Sequence, residues 1–477
     1  MTHEHPVFLA GRWERPGPAH TVTNPYDDSA VGVTWLDGEA EYERAAQAAV
    51  DAAPVMRAMP AYERGAILAK ASFILAQRRE EIGRVLAGEA GKPLRDALTE
   101  ADRAAMTFHV AIDEARRLGG EVIPLDLASH GKGRIGILRR YPIGPVAAIS
   151  PFNFPLNLSA HKLAPAVAAG NPVVLKPATK TPLSALFLAA ALEEAGLPAG
   201  ALSVLPMPRT LGDRLVTDER FRLLTFTGSS AVGWAMKARA GRKKVILELG
   251  GNAGVIVEPT ANLEWAAKRI VTGGFAFAGQ SCISVQRVFV HDRIYDAFTA
   301  RLVERVKALV VGDPLDPATD VGPLIDTGEV DRIETWVNEA VAGGARVLTG
   351  ATRLGPSVYA PTVLEGAPET ARVCADEVFA PLIGVYRYCV FAEALAAVNR
   401  SRYGLQAGVF TNDLENTLAA FDTIETGGVI VNDVPTWRID HMPYGGVKDS
   451  GIGREGPRYT IEEMTEPKLL VINREIS

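Results

Sequence analysis

The sequence is poor in cysteine, and its charges nearly balance. Only three cysteines occur in 477 residues, at Cys282, Cys374 and Cys389. Their number and wide spacing argue against a disulfide framework, and no Cys/His spacing is typical of a zinc site. A formal net charge of -6 provides no basic surface for nucleic acid or anionic membranes. We therefore expect a protein of the reducing cytoplasm, with no metal and no nucleic-acid partner.

The sequence also lacks long apolar runs. Gly, Pro or charged residues interrupt each of them well before the roughly 18 residues that a membrane-spanning helix needs. The first ten residues, MTHEHPVFLA, have neither the basic start nor the apolar core of a secretory signal. With 47% hydrophobic and 22% charged residues, the composition is that of a globular protein. A chain of 477 residues predicts two or three domains.

Helix and strand patterns alternate along most of the chain, which predicts an α/β fold. Helical spacing over 38–91 indicates two helices, and a third is expected over 94–118. From Val146 onward, short apolar strands are separated by helices, as in parallel sheets that are covered on both faces. Such sheets bind ligands at the carboxyl ends of their strands. The strand at 465–473 needs a partner, and 133–141 is the unassigned candidate.

Cys282 follows a segment of small residues and precedes a β-branched, strand-like run. Its side chain is therefore expected on a turn between two regular elements, where side chains point into clefts, as a nucleophile requires. A free cysteine is more often one more buried small hydrophobic residue. The local sequence leaves both roles open.

Two other polar residues come directly after predicted strands. Glu248 ends an apolar strand, where burial would raise the pKa of its carboxyl towards that of a general base. It is equally placed to reach water as an ordinary glutamate at a strand end. Asn153 lies between Pro151 and Pro155, whose fixed φ angles would hold its amide rigid as an oxyanion donor. Asparagine is also common in ordinary proline-rich turns.

The stretch 226–233, FTGSSAVG, follows a strand and opens a helix. Backbone N–H groups and the helix dipole hold phosphates in such places. The stretch matches neither the Gly-x-Gly-x-x-Gly pattern nor a triphosphatase loop. It predicts a phosphate site without identifying the nucleotide.

Seven motifs together resemble those of the aldehyde dehydrogenase superfamily, in order and approximate spacing, over nearly the whole chain. The context GQSCIS is most similar to the branch of lactaldehyde and non-phosphorylating glyceraldehyde-3-phosphate dehydrogenases. The motifs are 151–155 (PFNFP), 176–178 (KPA), 226–229 (FTGS), 248–252 (ELGGN), 279–282 (GQSC), 377–381 (EVFAP) and 443–446 (PYGG).

The resemblance implies an α/β architecture of two parallel-sheet domains and a small arm. A Rossmann-like cofactor domain would comprise 1–122 and 142–249, and a catalytic domain would comprise 250–456. A β oligomerisation arm, 123–141 with 457–477, would pair subunits into a homodimer or homotetramer.

The resemblance also implies the reaction, which is oxidation of an aldehyde to its carboxylic acid with hydride transfer to NAD(P). Cys282 would attack the aldehyde and carry first a thiohemiacetal and then a thioester. Nearby backbone N–H groups and the positive nicotinamide ring of the cofactor would lower its pKa. Asn153 would bind the oxyanion. Glu248 would activate the hydrolytic water, with Lys162 and Glu455 as the proton-relay pair behind it.

The cofactor residues implied by the resemblance depart from the family pattern in one place. The family usually has a glutamate three residues after Lys176, and here the residue is Thr179. A carboxylate there repels a 2′-phosphate, so its loss favours NADP over NAD, as does the nearby Arg209. The full set of implied cofactor residues is Phe152, Lys176, Thr179, Arg209, Gly228, Ser229, Leu249, Glu377 and Phe379.

The resemblance places His161 and Arg438 at substrate-tunnel positions that are often aromatic in relatives acting on apolar aldehydes. An imidazole and a guanidinium there favour a hydroxylated or anionic aldehyde, of the lactaldehyde, glyceraldehyde 3-phosphate or semialdehyde type. The alternative is that Arg438 pairs with Asp433 or Asp440 and touches no substrate.

Two rival functions remain open. One is an acylating semialdehyde dehydrogenase that passes the thioester to coenzyme A, although such an enzyme has no need of Glu248. The other is a catalytically inactive binding or structural member of the fold, although Cys282, Glu248 and Asn153 are all present.

Overall fold

A computed structural model describes residues 3–474. Residues 1–2 and 475–477, at the outer ends of the predicted cofactor domain and arm, lie outside the described residues. Helices and strands alternate as the sequence predicts. The strands are β1 (Val7–Leu9), β2 (Arg12–Glu14), β3 (Ala19–Thr23), β4 (Ala30–Trp35), β5 (Gly120–Pro124), β6 (Arg134–Pro142), β7 (Val146–Ile149), β8 (Val173–Lys176), β9 (Leu202–Val204), β10 (Leu223–Thr227), β11 (Lys244–Glu248), β12 (Ala253–Val257), β13 (Val285–His291), β14 (Arg346–Thr349), β15 (Thr362–Glu365), β16 (Leu382–Tyr388), β17 (Tyr403–Gly404), β18 (Gln406–Phe410), β19 (Gly428–Val431), β20 (Val447–Lys448), β21 (Gly451–Ile452) and β22 (Thr465–Asn473).

The helices follow the periodic apolar stretches, with one difference from the prediction. The region 38–91 holds three helices rather than two, because Arg78 adopts a non-helical conformation while the apolar spacing continues past it. The helices are α1 (Glu39–Ala58), α2 (Ala61–Gln77), α3 (Arg79–Ala90), α4 (Leu94–Arg117), α5 (Asn157–Ala169), α6 (Leu183–Glu194), α7 (Arg209–Thr217), α8 (Ser230–Arg239), α9 (Leu263–Phe275), α10 (Tyr295–Lys307), α11 (Thr327–Ala342), α12 (Arg372–Ala375), α13 (Phe391–Asn399), α14 (Leu414–Thr423) and α15 (Pro457–Glu463).

The first sheet has the strand order β2-β1-β9-β8-β7-β10-β11-β21. Its five central strands, β9 to β11 in that order, are parallel, and the outer strands are antiparallel. Alternate residues of β7 pack into cores on opposite faces, so the sheet is covered on both sides. From β7 the chain builds outward to β8 and β9, then returns to place β10 on the other side of β7. This reversal opens a crevice at the carboxyl ends of β7 and β10, where sheets of this kind bind ligands.

The second sheet has the order β14-β15-β16-β13-β12-β18-β19 and is parallel except for β14. Val255 and Val257 of β12 face one core, and Ile256 faces another. The loops at the carboxyl end of β11 lead directly into β12, so the two sheets meet at the crevice of the first. No helix within residues 3–474 is both long and apolar enough to cross a membrane.

A third, antiparallel sheet has the order β22-β6-β5. The strand β22 pairs with β6 over its whole length, from Thr465 opposite Pro142 to Asn473 opposite Arg134. The partner predicted for the C-terminal strand is therefore confirmed. Four consecutive residues of β22, Leu469, Leu470, Val471 and Ile472, are 47%, 55%, 47% and 42% exposed.

Candidate active site

The crevice between the sheets contains a cavity of about 550 Å³. Loops after β7, β10 and β11 form one wall, and residues from the second sheet form the other. Most of the residues singled out from the sequence line this cavity. They are Phe152, Asn153, Lys176, Arg209, Gly228, Ser229, Glu248, Leu249, Cys282, Glu377 and Phe379.

Cys282 lies on the turn that precedes β13, as predicted. The backbone just before it is strained, because Phe277 and Ala278 have φ angles of 49° and 53°. Gly279 continues the left-handed run at 70°, and a Cβ there would collide with the carbonyl oxygen of Ala380. The strain is held in place by Gln280, which is fully buried and bonded to the backbone of Ile325 (2.9 Å) and Pro323 (3.2 Å). The turn therefore presents the sulfur in one fixed position.

The sulfur of Cys282 is half-buried and has one polar side-chain neighbour, the hydroxyl of Tyr444, at 2.9 Å. Burial raises the pKa of Cys282 to about 12, and the hydrogen bond from Tyr444 opposes that rise. We expected nearby backbone N–H groups to lower this pKa, and in the protein without cofactor that expectation is wrong. The desolvation of the thiolate outweighs the local dipoles.

Asn153 is 4% exposed, and the loop that carries it follows β7. Its Nδ2 donates to the carbonyl of Gln280 at 3.0 Å, two residues before Cys282. The amide predicted as an oxyanion donor is thus tied to the backbone of the nucleophile's own turn. Phe152 meets Phe379 edge to face across the cavity, with ring centroids 5.9 Å apart.

Glu248 ends β11, and its side chain is almost completely buried. Within residues 3–474, neither carboxylate oxygen has a hydrogen-bond partner. Burial, reinforced by the charge of Glu455, raises the pKa of Glu248 well above its ordinary value. The raised pKa predicted for this residue is confirmed, and an unpartnered carboxylate that faces a cavity suits a base that activates water.

The predicted relay pair is brought together behind Glu248. Lys162, in α5, is fully buried, and its Nζ lies 3.4 Å from Oε1 of Glu455. The same Nζ donates to Thr227 (2.7 Å) and Thr225 (3.1 Å) of β10. Burial lowers the pKa of Lys162, whereas the cations around Glu455 overcome burial and lower the pKa of that carboxyl. The lowered pKa of Lys162 makes it readier to release its proton than an ordinary lysine, whereas the lowered pKa of Glu455 keeps that carboxyl ionised.

Lys176 and Arg209 form a cationic corner at one end of the cavity. Lys176 ends β8, is 9% exposed, and donates to the carbonyl of Pro177 at 3.2 Å. Burial and the charge of Arg209 lower the pKa of Lys176 to about 8. Within the described residues no carboxylate pairs with either cation, so the corner is fitted to a ribose that bears a phosphate. Thr179 lies outside the cavity lining, and its hydroxyl donates to Met207 at 3.4 Å.

Other parts of the wall of this cavity are shaped by close backbone approaches. Gly228 and Ser229 precede α8, so the free N–H groups of that helix point towards the cavity. Glu377 accepts a hydrogen bond from the backbone of Gly251 at 3.0 Å, and burial raises its pKa to about 7. A Cβ at Gly250 would collide with the Glu377 carboxylate. These contacts fit a dinucleotide that lies across the strand ends.

A second, smaller cavity of about 190 Å³ lies on the other side of Cys282. Arg438 lines it and contacts Glu455 at 3.3 Å and Nε2 of His161 at 3.2 Å. The Nε atom of Arg438 has no hydrogen-bond partner within residues 3–474. The cysteine is therefore shared by the two cavities.

The alternative partners proposed for Arg438 are occupied by other arginines. Asp433 pairs with Arg269 at 2.6 Å, and Asp440 pairs with Arg103 at 2.8 Å. The interpretation that pairing with either aspartate keeps Arg438 away from substrate is wrong. The sequence shows the aspartates beside Arg438 but not the cations that distant elements bring to them.

The predicted role of His161 is wrong. We predicted direct contact with substrate, but His161 is fully buried and lines neither cavity. Its Nε2 lies 2.9 Å from Asp440 and 3.2 Å from Arg438. The histidine lies behind Arg438 because α5 turns this face towards the core, and its contact with substrate is at most indirect.

Three further features of the site have no predicted role. Tyr444 belongs to the PYGG motif, which identifies its loop but not its contact with sulfur. Gln280 belongs to GQSC, and Lys92 follows the glycine that ends α3. Glycine at a helix end is a signal for a turn and gives no indication of the buried lysine beside it.

The chain matches known proteins over almost its full length. The aldehyde dehydrogenase family model matches residues 13–470. A 3-sulfolactaldehyde dehydrogenase from Priestia aryabhattai is 45% identical over 471 residues, which are 98% of this chain and 98% of the relative.

Solved structures of similar proteins superpose closely. Aldehyde dehydrogenase 21 from Physcomitrella patens, in complex with the reaction product succinate, has a TM-score of 0.98 at 46% identity and covers 100% of both chains. The glyceraldehyde-3-phosphate dehydrogenase GapN from Methanocaldococcus jannaschii, complexed with NADP, has a TM-score of 0.91 at 38% identity. That match covers 95% of this chain and 98% of GapN.

Proposed function

The chain belongs to the aldehyde dehydrogenase family, and we propose that it oxidises a small anionic aldehyde to the carboxylic acid with NADP as cofactor. The family match confirms the predicted fold and the predicted class, an NAD(P)-dependent aldehyde dehydrogenase. The observation that carries the proposal is the position of Cys282, which lines both the large cavity and the smaller cavity with Arg438. One cavity fits the cofactor, and the other is left for the aldehyde.

Cys282 begins the proposed reaction. Its sulfur, as thiolate, adds to the aldehyde carbon, and the carbonyl oxygen becomes the oxyanion of a thiohemiacetal. Asn153 Nδ2 and the backbone N–H of Cys282 donate to that oxygen. NADP, when bound, supplies the acceptor for the hydride that leaves this carbon, and a thioester on Cys282 results.

Glu248 completes the proposed reaction. It takes a proton from a water whose oxygen adds to the thioester carbon. The C–S bond then breaks, its electron pair returns to sulfur, and the carboxylic acid leaves. Lys162 and Glu455 lie behind Glu248 and offer the proton a way out of the buried site.

Arg438 supports an anionic substrate. Arg103 and Lys92, which line the same small cavity, are each paired with a carboxylate, Asp440 and Glu100. Arg438 also contacts a carboxylate, Glu455 at 3.3 Å, but its buried Nε has no hydrogen-bond partner within residues 3–474. A guanidinium N–H that lacks an acceptor is costly in a buried site, and a carboxylate, sulfonate or phosphate would satisfy it. Two relatives act on molecules with such a group. One is named 3-sulfolactaldehyde dehydrogenase, and the other is in complex with the reaction product succinate.

The test is a panel of aldehydes assayed with the native enzyme and with Arg438→Leu. The panel contains 3-sulfolactaldehyde, succinate semialdehyde, glyceraldehyde 3-phosphate, lactaldehyde and propionaldehyde. We expect the substitution to lower kcat/KM at least about tenfold more for the anionic members than for the neutral ones, because only the anionic ones lose a charge-assisted hydrogen bond. Arg269→Leu, in which the lost cation pairs with Asp433, is the matched control. Equal losses on neutral aldehydes would contradict an anionic substrate.

The same assays separate hydrolysis from acyl transfer. Free acid that forms without coenzyme A supports the hydrolytic route through Glu248. If acid or acyl product appears only when coenzyme A is present, the enzyme follows the acylating route instead. If no aldehyde gives NADPH, the result favours the rival function, a catalytically inactive binding or structural member of the fold.

The cationic corner of Lys176 and Arg209 supports NADP in preference to NAD, and the similar GapN structure is complexed with NADP. We also propose a homodimer or homotetramer, supported by the exposed apolar residues of β22. The predicted domain boundaries, 1–122 with 142–249, 250–456, and 123–141 with 457–477, remain part of this proposal. All three cysteines are free thiols, which supports a reducing cytoplasm as the location.

A further inference from the structure

Tyr444 touches the reacting sulfur, although nothing in the proposed reaction so far uses it. Its hydroxyl lies 2.9 Å from Sγ of Cys282, and the side chain is 3% exposed. Two backbone hydrogen bonds to Glu455 fix the tyrosine's position. Ile283 and Leu405 pack with it in the small apolar cluster against the cysteine. The hydroxyl therefore has one orientation, towards the sulfur.

The surroundings make this hydroxyl a donor. Burial raises the pKa of Tyr444 well above its ordinary value, so the phenol keeps its proton at neutral pH. The guanidinium of Arg438 lies over the ring, 3.7 Å from its centroid. A cation on the ring face draws electron density from the ring and makes the O–H a better donor. A thiolate on Cys282 is the acceptor within reach.

The charges around the sulfur make such a donor necessary. Four groups face Cys282 from the elements packed against it: Glu377 from the loop after α12, Glu248 from the end of β11, and Arg438 and Tyr444 from the loop before β20. The two carboxylates disfavour a thiolate, and Arg438 and Tyr444 favour it. Of the two favourable groups, Tyr444 makes the direct contact.

We propose that Tyr444 is a catalytic residue whose hydroxyl donates a hydrogen bond to Cys282 whenever the sulfur is a thiolate. This happens twice in each turnover. Before attack, the hydrogen bond stabilises the nucleophile, and it is lost when the sulfur lone pair forms the C–S bond. When water has added to the thioester and the C–S bond breaks, the electron pair returns to sulfur, and the same hydroxyl again donates a hydrogen bond to the thiolate. This inference rests on the proposed function, which makes Cys282 the nucleophile.

The test is Tyr444→Phe, which removes the hydroxyl and leaves the ring beneath Arg438. The pH dependence of Cys282 alkylation by iodoacetamide is measured on the NADP-bound enzyme, and Cys282→Ser provides the background from the other cysteines. We expect the midpoint to move up by about one pH unit, because a hydrogen bond to a charged group is lost. Below the midpoint, the thiolate fraction falls about tenfold. The more basic thiolate is also the better nucleophile, so alkylation slows by only about threefold. Tyr295→Phe, whose hydroxyl donates to Glu365 at 2.9 Å, is the matched control.

A midpoint that is unchanged or lower in Tyr444→Phe would overturn the role of Tyr444. If Cys282→Ser nevertheless abolishes NADPH formation, the proposed function survives that result. An active Cys282→Ser enzyme would instead remove the proposed function itself. Should Tyr444→Phe fail to fold, replacement of Tyr444 by 3-fluorotyrosine keeps the size and acidifies the phenol. The midpoint must then move down, and any other result overturns the proposal.

Discussion

Glu248 shows at the scale of one residue how the fold adjusts chemistry. The strand β11 carries it into a site where its oxygens meet no donor, and burial beside Glu455 raises its pKa. The carboxylate form, which a base requires, therefore appears only at a higher pH than for an ordinary glutamate. As pH falls through that raised pKa, Glu248 becomes protonated and hydrolysis of the thioester stops.

Glu248→Gln is expected to separate the two halves of the reaction. NADPH formation should show a burst of up to one equivalent per subunit, followed by a steady rate about 100-fold or more below that of the native enzyme, because only the water loses its base. Rapid-mixing absorbance at the NADPH band measures both phases. Added hydroxylamine, which needs no base, should restore turnover. A variant that loses the burst and the steady rate equally would place Glu248 outside the hydrolytic step.

Arg209 is expected to decide between the two cofactors. In Arg209→Gln, the KM for NADP should rise about tenfold or more while the KM for NAD stays within about twofold, because only the 2′-phosphate loses a charged partner. Steady-state kinetics with each cofactor measure this. Arg214→Gln is the control, since Arg214 lies on the same helix and pairs with Glu43 instead. Equal changes for the two cofactors would contradict the assignment.

The sequence predicts where Cys282, Glu248 and Asn153 lie, at the ends of their elements, because their immediate neighbours are informative: a segment of small residues, an apolar strand and two prolines. Contacts between distant residues are not encoded locally. Tyr444 and Cys282 are 162 positions apart, and only the folded chain brings them together. The same holds for the charge pairs around Arg438, and for the raised pKa of Cys282, which depends on burial.

At the scale of elements, the two loops that carry Asn153 and Cys282 are joined by one buried cation. Lys92 lies 3.7 Å from the ring centroid of Phe154 and 4.5 Å from that of Phe277. Phe154 follows Asn153 in the loop after β7, and Phe277 begins the left-handed turn before Cys282. Lys92 also pairs with Glu100, which accepts hydrogen bonds from the first backbone N–H groups of α5. A single side chain thus links the oxyanion donor's loop to the nucleophile's turn.

Lys92→Met is expected to lower the free energy of unfolding by about 3–5 kcal/mol, because Glu100 is left as a buried charge without its cation. Urea unfolding followed by circular dichroism measures the loss. In the double variant Lys92→Met with Glu100→Gln, the uncompensated charge is gone, and part of the stability should return. A double variant less stable than Lys92→Met alone would show that charge is not the cause.

The elements themselves are predictable where the apolar period is unbroken. The five central strands of the first sheet and helices such as α4 and α11 follow directly from spacing. The break between α2 and α3 is not predictable, because it rests on the backbone conformation of Arg78 and interrupts no apolar pattern. The order of strands in a sheet likewise cannot be predicted from the local sequence. It matters here because the chain returns to place β10 beside β7, and this return creates the crevice.

At the scale of the whole molecule, the third sheet is unusual because one of its edges is apolar on both faces. Successive residues of a strand point to opposite sides, yet Leu469, Leu470, Val471 and Ile472 of β22 are all 42–55% exposed. Within the described residues β22 pairs only with β6, so the other edge of the strand over residues 469–472 has no partner strand. A long apolar edge strand of this kind would promote aggregation unless another chain covers it.

The strand β22 is therefore expected to bind a second copy of the chain. Light scattering of the native enzyme at micromolar concentration should give the mass of a dimer or tetramer. The double substitution Leu470→Glu with Ile472→Glu places two charges on one face of β22, where burial in an interface would cost several kcal/mol, about enough to shift the population to smaller species. Tyr62→Glu on α2, at a site that is 69% exposed, is the matched control for adding charge to an exposed apolar residue. A native monomer would refute the assembly, and a native oligomer unaffected by the two glutamates would move the interface away from β22.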